Sequence, residues 1–311
     1  MRNAWVIARR EYNHYFSTTV SYSVALTILF VLGAIFFLVL NQAIQNAFNG
    51  GSTAGAAVAP DIKVIAVWFT IMSVLTVPAL TMRLISDENR MGTLELLLTA
   101  PLQDWELIVG KWLGALLFLL TILAVTLVYP IILNIYETPG TNLQWQVLSL
   151  IILSIALIAM FWNLVIGERL RGLFILFGIW IVAIIAAILL YKFTVPGIDW
   201  GLTLSIYIGL FLVCAAFLAI GVGMSSLFSN QIAAFIVTIL AFVFLWWILG
   251  FITEFTQGIA SGIFGYLDMG SHFNNDFIAG TIDLPDLIYY LSLTALGLFI
   301  GTTAVESRRW S

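Results

Sequence analysis

An all-α integral membrane protein with eight transmembrane helices is the fold class this sequence predicts, on three observations. Hydrophobic residues make up 62% of the 311 positions and charged residues 9%, with a mean hydropathy of +1.08. Soluble domains carry roughly 25% charged residues, so a core of this size would lack the polar surface to cover it. Second, the stretches 20–40, 64–82, 112–133, 147–166, 173–191, 202–227, 232–252 and 287–304 contain no Asp, Glu, Lys or Arg. Each approaches or exceeds the roughly 20 apolar residues that a bilayer-spanning helix needs. Third, ten of the twelve Lys and Arg residues fall on one side of the resulting alternation. A membrane β-barrel would alternate polar and apolar positions, whereas runs such as IVAIIAAILL (181–190) are continuous.

The charge distribution orients the spans. Arg2, Arg9 and Arg10, then Arg83, Arg90 and Lys111, then Arg169 and Arg171, and finally Arg308 and Arg309 share one side, against Lys63 and Lys192 on the other. Both termini are therefore expected in the cytoplasm of a multi-pass protein of the plasma membrane. Leu40 is followed by Asn41 and Gln42 rather than small residues, so no cleavable signal peptide is expected. The net charge of -4 argues against a nucleic-acid partner. Two His and one Cys leave no cysteine framework or zinc spacing.

Residues 1–17 (MRNAWVIARREYNHYFS) intersperse Trp5, Tyr12, Tyr15 and Phe16 with Arg2, Arg9 and Arg10. They read either as an amphipathic helix in the inner interface, rings at headgroup depth and Arg toward anionic lipid or a partner, or as a plain positive flank. In the loop 83–111, Ser86, Asp87 and Glu88 form a helix start with acidic groups at the positive end of the macrodipole. Gly92 interrupts that helix, Thr93 caps a second with Glu95 in its first turn, and Pro101 stops it. Leu94, Leu97 and Leu98 share one face of this second helix. Eight residues do not hold a helix alone in water, so the leucines need a cover: either the membrane surface or a groove in a cytosolic protein.

Within the spans, Pro78 and Pro130 are expected to kink their helices, and Gly221, Gly223, Ser225 and Ser226 form a face suited to close packing. No span contains a charged residue, which points away from ion relays and proton-coupled transport. The loop 250–286 carries Glu254, Asp268, Asp276, Asp283 and Asp286 without Lys or Arg. Glycines among its aromatics at 258–266 suggest a segment that dips back into the outer leaflet and returns. Asp268, His272 and Asp276 are metal-ligand types, but one His among scattered carboxylates in a wet loop reads as solvated, and no metal site is expected. Enzyme signatures are missing: there is no HExxH, the GIASG of 258–262 is out of GxSxG register, and Gly110-Lys111 lacks the leading Gly and the following Ser or Thr of a phosphate loop. The chain is not expected to be an enzyme, and energy for any work must come from another subunit.

The segment RLISDENRMGTLELLLTAPLQDWELIVGK (83–111) resembles the region between the second and third spans of ABC-2-type permeases, specifically the gliding-motility GldF-like branch with NosY-like relatives. AAFLAIG (215–221), SSLFSNQIAA (225–234), SHFNNDFIAGTIDLPDLIYYLSLTAL (271–296) and ESRRW (306–310) are similar to the same branch in the same order. The resemblance covers about 1–135 and 196–311. It implies a six-helix, type V exporter-like permease core of a bacterial inner-membrane transporter, with an N-terminal amphipathic helix (1–17), spans 1–3 within 18–135 including a coupling helix at 84–101, and the last three spans within 196–311 with a re-entrant loop at 253–286. Residues 136–195 have no counterpart in the family and form an inserted two-span hairpin. On this resemblance Glu88, Arg90, Gly92, Thr93, Leu94, Glu95, Leu98 and Pro101 map onto the ATPase-coupling segment, and Trp5, Arg9 and Arg10 onto the N-terminal helix. The implied partners are a dimer of ABC ATPase subunits that binds ATP and Mg, a second permease, identical or diverged, and membrane lipid, with room for an extracytoplasmic accessory protein. No cofactor is expected on this chain. The alternative reading is a non-transporting membrane anchor of an ATPase-driven force-generating or assembly complex.

Overall fold

The computed structural model describes residues 2–48, 62–90, 103–137 and 199–309. Among these residues every regular element is helical. In chain order they are α1 (Arg2–Tyr15), α2 (Thr19–Phe48), α3 (Ile62–Thr81), α4 (Ser86–Arg90), α5 (Asp104–Thr126), α6 (Val128–Glu137) and α7 (Trp200–Leu227). There follow α8 (Gln231–Val243), a π-helical turn (Phe244–Ile248), α9 (Leu249–Phe255), α10 (Ile259–Leu267), α11 (Met269–Ser271), a second π-helical turn (His272–Phe277) and α12 (Leu284–Arg309). Six stretches are long and apolar enough to cross a membrane: Thr19–Gln42, Ile62–Glu88, Asp104–Leu133, Trp200–Leu227, Gln231–Phe255 and Leu284–Arg308. They coincide with six of the expected spans and mark a helical, multi-pass membrane protein. The expected spans 147–166 and 173–191, and with them all but the first two residues of the hairpin 136–195, lie outside the described residues.

The chain divides into two compact units, one of Met1–Gly33, Lys63–Thr121 and Leu204–Ser311, the other of Ala34–Ile62 and Ile122–Thr203. In the second unit the helical path breaks at Leu127, three residues before Pro130, which has no N–H to offer the carbonyl of Thr126. The Phe36 and Tyr129 rings meet there at 4.8 Å. Asp199 Oδ1 accepts from the backbone N–H of Gly201 at 2.8 Å and of Leu202 at 3.3 Å, satisfying two donors that the first turn of α7 leaves open.

The first unit is organised around α7. Every residue from Leu212 to Gly223 is buried, as expected of a helix that is apolar all round. Small residues let its neighbours approach. A Cβ on Gly223 would lie 2.6 Å from Gly297 O, and one on Gly297 would lie 2.5 Å from the carbonyl carbon of Ala219, so α7 and α12 cross backbone to backbone. Ala219 and Gly223 thereby oppose Gly297 and Gly301, two small-xxx-small faces of the kind that pack helices in lipid, where apolar burial supplies no net attraction. A Cβ on Gly221 would meet the Thr81 side chain at 2.5 Å. Ser225 Oγ accepts from the Ile85 and Ser86 N–H groups at 3.3 Å and donates to Met82 O at the same distance, fixing the turn between α3 and α4. Arg308 donates to Ser226 O at 2.9 Å, covering a carbonyl at the α7 C-terminus.

At the end of the fifth of the six stretches, α9 and α10 form a helical hairpin. Gly258 (φ 67°, ψ -137°) has a backbone conformation that side chains resist, and it reverses the chain between α9 and α10. The tight contacts define a substitution test. Gly297→Val drives a branched side chain into the α7 backbone and is expected to lower stability by about 1–3 kcal/mol or more. A Cβ on Gly262 meets nothing within 4 Å, so Gly262→Ala in α10 is expected to be neutral or stabilising by up to about 1 kcal/mol. Thermal unfolding of the two purified variants in one detergent checks both.

Candidate functional site

The site is built on the docking of α1 along α5. A 14-residue helix is marginal by itself, and α1 gains its support from a glycine groove. A Cβ on Gly110 would lie 2.8 Å from Ala4 O and Ile7 Cβ, and one on Gly114 would lie 2.7 Å from Glu11 Cβ and 2.9 Å from Ala8 O. Ala4 and Ala8 on α1 thus face Gly110 and Gly114 on α5, each pair spaced by four. Further along, Tyr12 Oη and Thr121 Oγ1 share a hydrogen bond of 3.2 Å, and the Tyr15 ring stacks on Phe118 at 5.0 Å. Ala4, Ile7, Ala8, Glu11, Tyr12 and Tyr15 are buried. Tyr12 and Tyr15 pack against α5, because the groove accepts the helix broadside.

The groove brings opposite charges together around a buried lysine. Lys111 Nζ donates to Glu11 Oε1 on α1 at 3.2 Å and to Glu88 Oε1 on α4 at 2.9 Å, and its side chain is 2% exposed. Arg10, on the exposed side, donates to Glu11 Oε1 at 3.0 Å and lies 3.9 Å from Glu88 Oε1. Among the described residues two carboxylates lie within hydrogen-bond reach of the ammonium, which is the condition for a desolvated ammonium to be tolerated: removing one ion from water costs several kcal/mol, and only close partners offset it. Asn3 adds a bond from α1 to Glu106 Oε2 at 2.9 Å. One lysine therefore ties together three chain segments: the N-terminal helix, the start of the loop 83–111 and the helix that follows that loop.

Burial pushes the Glu11 carboxyl up, but Lys111 and Arg10 more than offset it and hold it below its usual value. A depressed carboxyl contributes stability that is present above its unfolded-state pKa and is lost as pH falls through the lower folded value. Burial pushes the Tyr12 hydroxyl up to about 12, against the opposing hydrogen bond from Thr121, so it stays a neutral partner. Tyr15 is raised too, by burial first and then by Glu11.

Of the sequence-predicted residues, the structure brings Glu88 and Arg10 into this junction. Trp5 and Arg9 are half-buried on α1, beside it in sequence. Arg90 ends α4, whose start at Ser86 is where the sequence placed it. Gly92, Thr93, Leu94, Glu95, Leu98 and Pro101, and with them the second short helix and its leucine face, lie outside the described residues. Sequence reasoning missed Glu11 and Lys111. It also expected no buried charge along the spans, and that expectation is corrected here: α5 starts at Asp104, about two turns before 112, so Lys111 belongs to the spanning helix and is buried on it. The available signal was the Gly110-x-x-x-Gly114 spacing around it, which announces a close helix contact on that face. No protein-family model matches the chain, and no curated protein matches it.

Lys111→Met removes the ammonium that Glu11 and Glu88 share. It is expected to cost about 3–5 kcal/mol, as for other broken buried pairs, and less when combined with Glu11→Gln and Glu88→Gln. Acidifying the unaltered protein is expected to lower its thermal midpoint as Glu11 protonates, and this acid sensitivity should shrink in Glu11→Gln. Thermal midpoints measured against pH for the variants check the set.

Proposed function

We propose that this chain is the permease subunit of an ABC-2-type transporter of the bacterial plasma membrane, with both termini cytoplasmic, paired with a second permease and driven by a separate dimer of ATPase subunits. The supporting observation is the Lys111 junction. Glu88 lies in the part of the loop 83–111 that resembles a coupling segment, and its carboxylate is held by the same ammonium that holds α1 and sits on α5. A partner that displaces this loop therefore pulls on α1 and α5 together, a rigid-body coupling of the hinge and shear kind. In this reading ATP and Mg bind the partner, residues 92–101 carry the docking face through Leu94 and Leu98, and Trp5, Arg9 and Arg10 line its edge. The hairpin 136–195 is an appendage to the six-helix core.

The test is co-purification from the native membrane. Two buried leucines contribute about 1.5–3 kcal/mol each, so Leu94→Asp combined with Leu98→Asp is expected to weaken ATPase retention at least about a hundredfold while membrane insertion is unchanged. Undiminished co-purification of the ATPase, or the finding of none with the unaltered chain, overturns the assignment. Reconstituted vesicles that hydrolyse ATP without moving any solute would favour the anchor reading over transport.

A further inference from the structure

Between the hairpin α9–α10 and the start of α12 a second polar cluster is buried, and the permease reading makes no use of it. His272 opens the second π-helical turn and Asp276 follows four residues later, on the same face. Asp286 comes from the first turn of α12. One ligand atom from each of the three lies within 4.8 Å of the others. The imidazole is oriented from outside the cluster. Its Nε2 is 2.9 Å from Tyr266 O, a carbonyl that can only accept, so Nε2 carries the hydrogen and donates it. That leaves Nδ1 as the atom turned into the cluster, 2.6 Å from Asp286 Oδ1. Tyr289 stacks on the ring at 4.2 Å and Tyr266 meets it edge-on at 5.4 Å, so its plane is fixed from two sides. Tyr289 in turn donates to Leu267 O at 2.7 Å.

Asp286 is 3% exposed, and its Oδ2 has no hydrogen-bond donor among the described residues. A buried carboxylate oxygen without a donor costs free energy that a cation would recover. Asp276 is half-buried and opens the cluster to the outside. Burial and the neighbouring Asp286 and Asp283 carboxylates hold its carboxyl above the usual value, with His272 opposing. Asp268, the third ligand type visible in the sequence, is otherwise engaged: its Oδ1 accepts from Gly270 N–H at 3.1 Å as the cap of α11. Asp286, ten residues beyond Asp276, takes its place.

We propose that His272, Asp276 and Asp286 form a binding site for a divalent transition-metal cation of the zinc class. One imidazole and two carboxylates are a donor set suited to such ions, and a ring whose second nitrogen donates to a backbone carbonyl has the outer-shell arrangement of metal-bound histidines. In the present geometry a proton bridges Nδ1 and Asp286 Oδ1. With metal–ligand distances of about 2.0–2.2 Å, a tetrahedral cation replaces that proton, parts the two atoms to roughly 3.3 Å and draws Asp276 inward; a water completes the sphere. The occupied site would clamp the π-helical turn to α12.

The test uses the full-length chain, purified in detergent without a polyhistidine tag, stripped with chelator and titrated with Co²⁺ as a spectroscopic stand-in and with Zn²⁺ against a chromophoric chelator. One equivalent per chain is expected, with the visible absorption of low-coordinate Co²⁺. Since loss of an outer-shell partner alone weakens metal sites about 10- to 100-fold, His272→Ala and Asp286→Asn should each weaken binding by at least that much. Asp268→Asn, which keeps the cap, should leave it unchanged. Asp276→Asn leaves the His272–Asp286 contact and the surrounding packing intact, so a loss of at least about tenfold there is expected even if the other variants fail to fold. Absence of stoichiometric binding by the unaltered chain, or binding that Asp276→Asn does not weaken, overturns the proposal.

Discussion

The first unit depends on a lysine held out of water. Lys111 lies on a helix that spans, one residue past Gly110, and its ammonium is acceptable there only because α1 delivers Glu11 and α4 delivers Glu88. The glycine groove is the geometric condition for this meeting. A side chain at 110 or 114 would lift α1 away and remove Glu11, leaving one carboxylate to offset a desolvation cost of several kcal/mol. The charge and the close approach therefore support each other: neither the N-terminal helix nor the turn into α4 would be fixed by apolar packing alone, since α1 is short and α4 has five residues.

The same economy of contact recurs where α7 crosses α12. Within hydrocarbon, apolar side chains gain little by leaving lipid for one another, so association rests on dispersion and on backbones that come close. Gly223 and Gly297 supply that approach, and Gly301 continues it toward Ile108 on α5. Large apolar residues are found on the outer faces as well as in the interior. Leu26 and Phe30 on α2 and Phe299 on α12 are mostly exposed, as lipid-facing positions should be.

Those preferences explain what the sequence disclosed. Span positions were legible because hydrocarbon thickness imposes a length and excludes charge, and the six described spans lie where those two criteria put them. The start of α4 was legible because Ser, Asp and Glu at a helix N-terminus are a local signal. Lys111 was not, since a lysine at the end of a span is equally the mark of a topogenic flank, and only the neighbouring glycines point to contact. In the second cluster, His272 and Asp276 are four apart and visible as a pair. Asp286 is brought to them by the fold of α10, α11 and the π-helical turn, which no local spacing encodes.

The two clusters are joined by one packed element. Trp112, next to Lys111, donates its indole N–H to Ala215 O on α7 at 3.0 Å. Six residues earlier on α7, Gly209 accepts the Phe277 ring against its backbone, and Ser205 donates to Thr281 O at 2.9 Å, four residues after the turn that carries His272 and Asp276. Ten residues of helix at 1.5 Å per residue span roughly 15 Å. Buried on every face through its middle, α7 has no room to bend independently of what surrounds it, because close-packed interiors transmit strain rather than absorb it. A displacement of α5 at Lys111 must therefore either carry α7 with it or open a gap along the Trp112 contact. The first alternative reaches the seat of Phe277, one residue beyond Asp276.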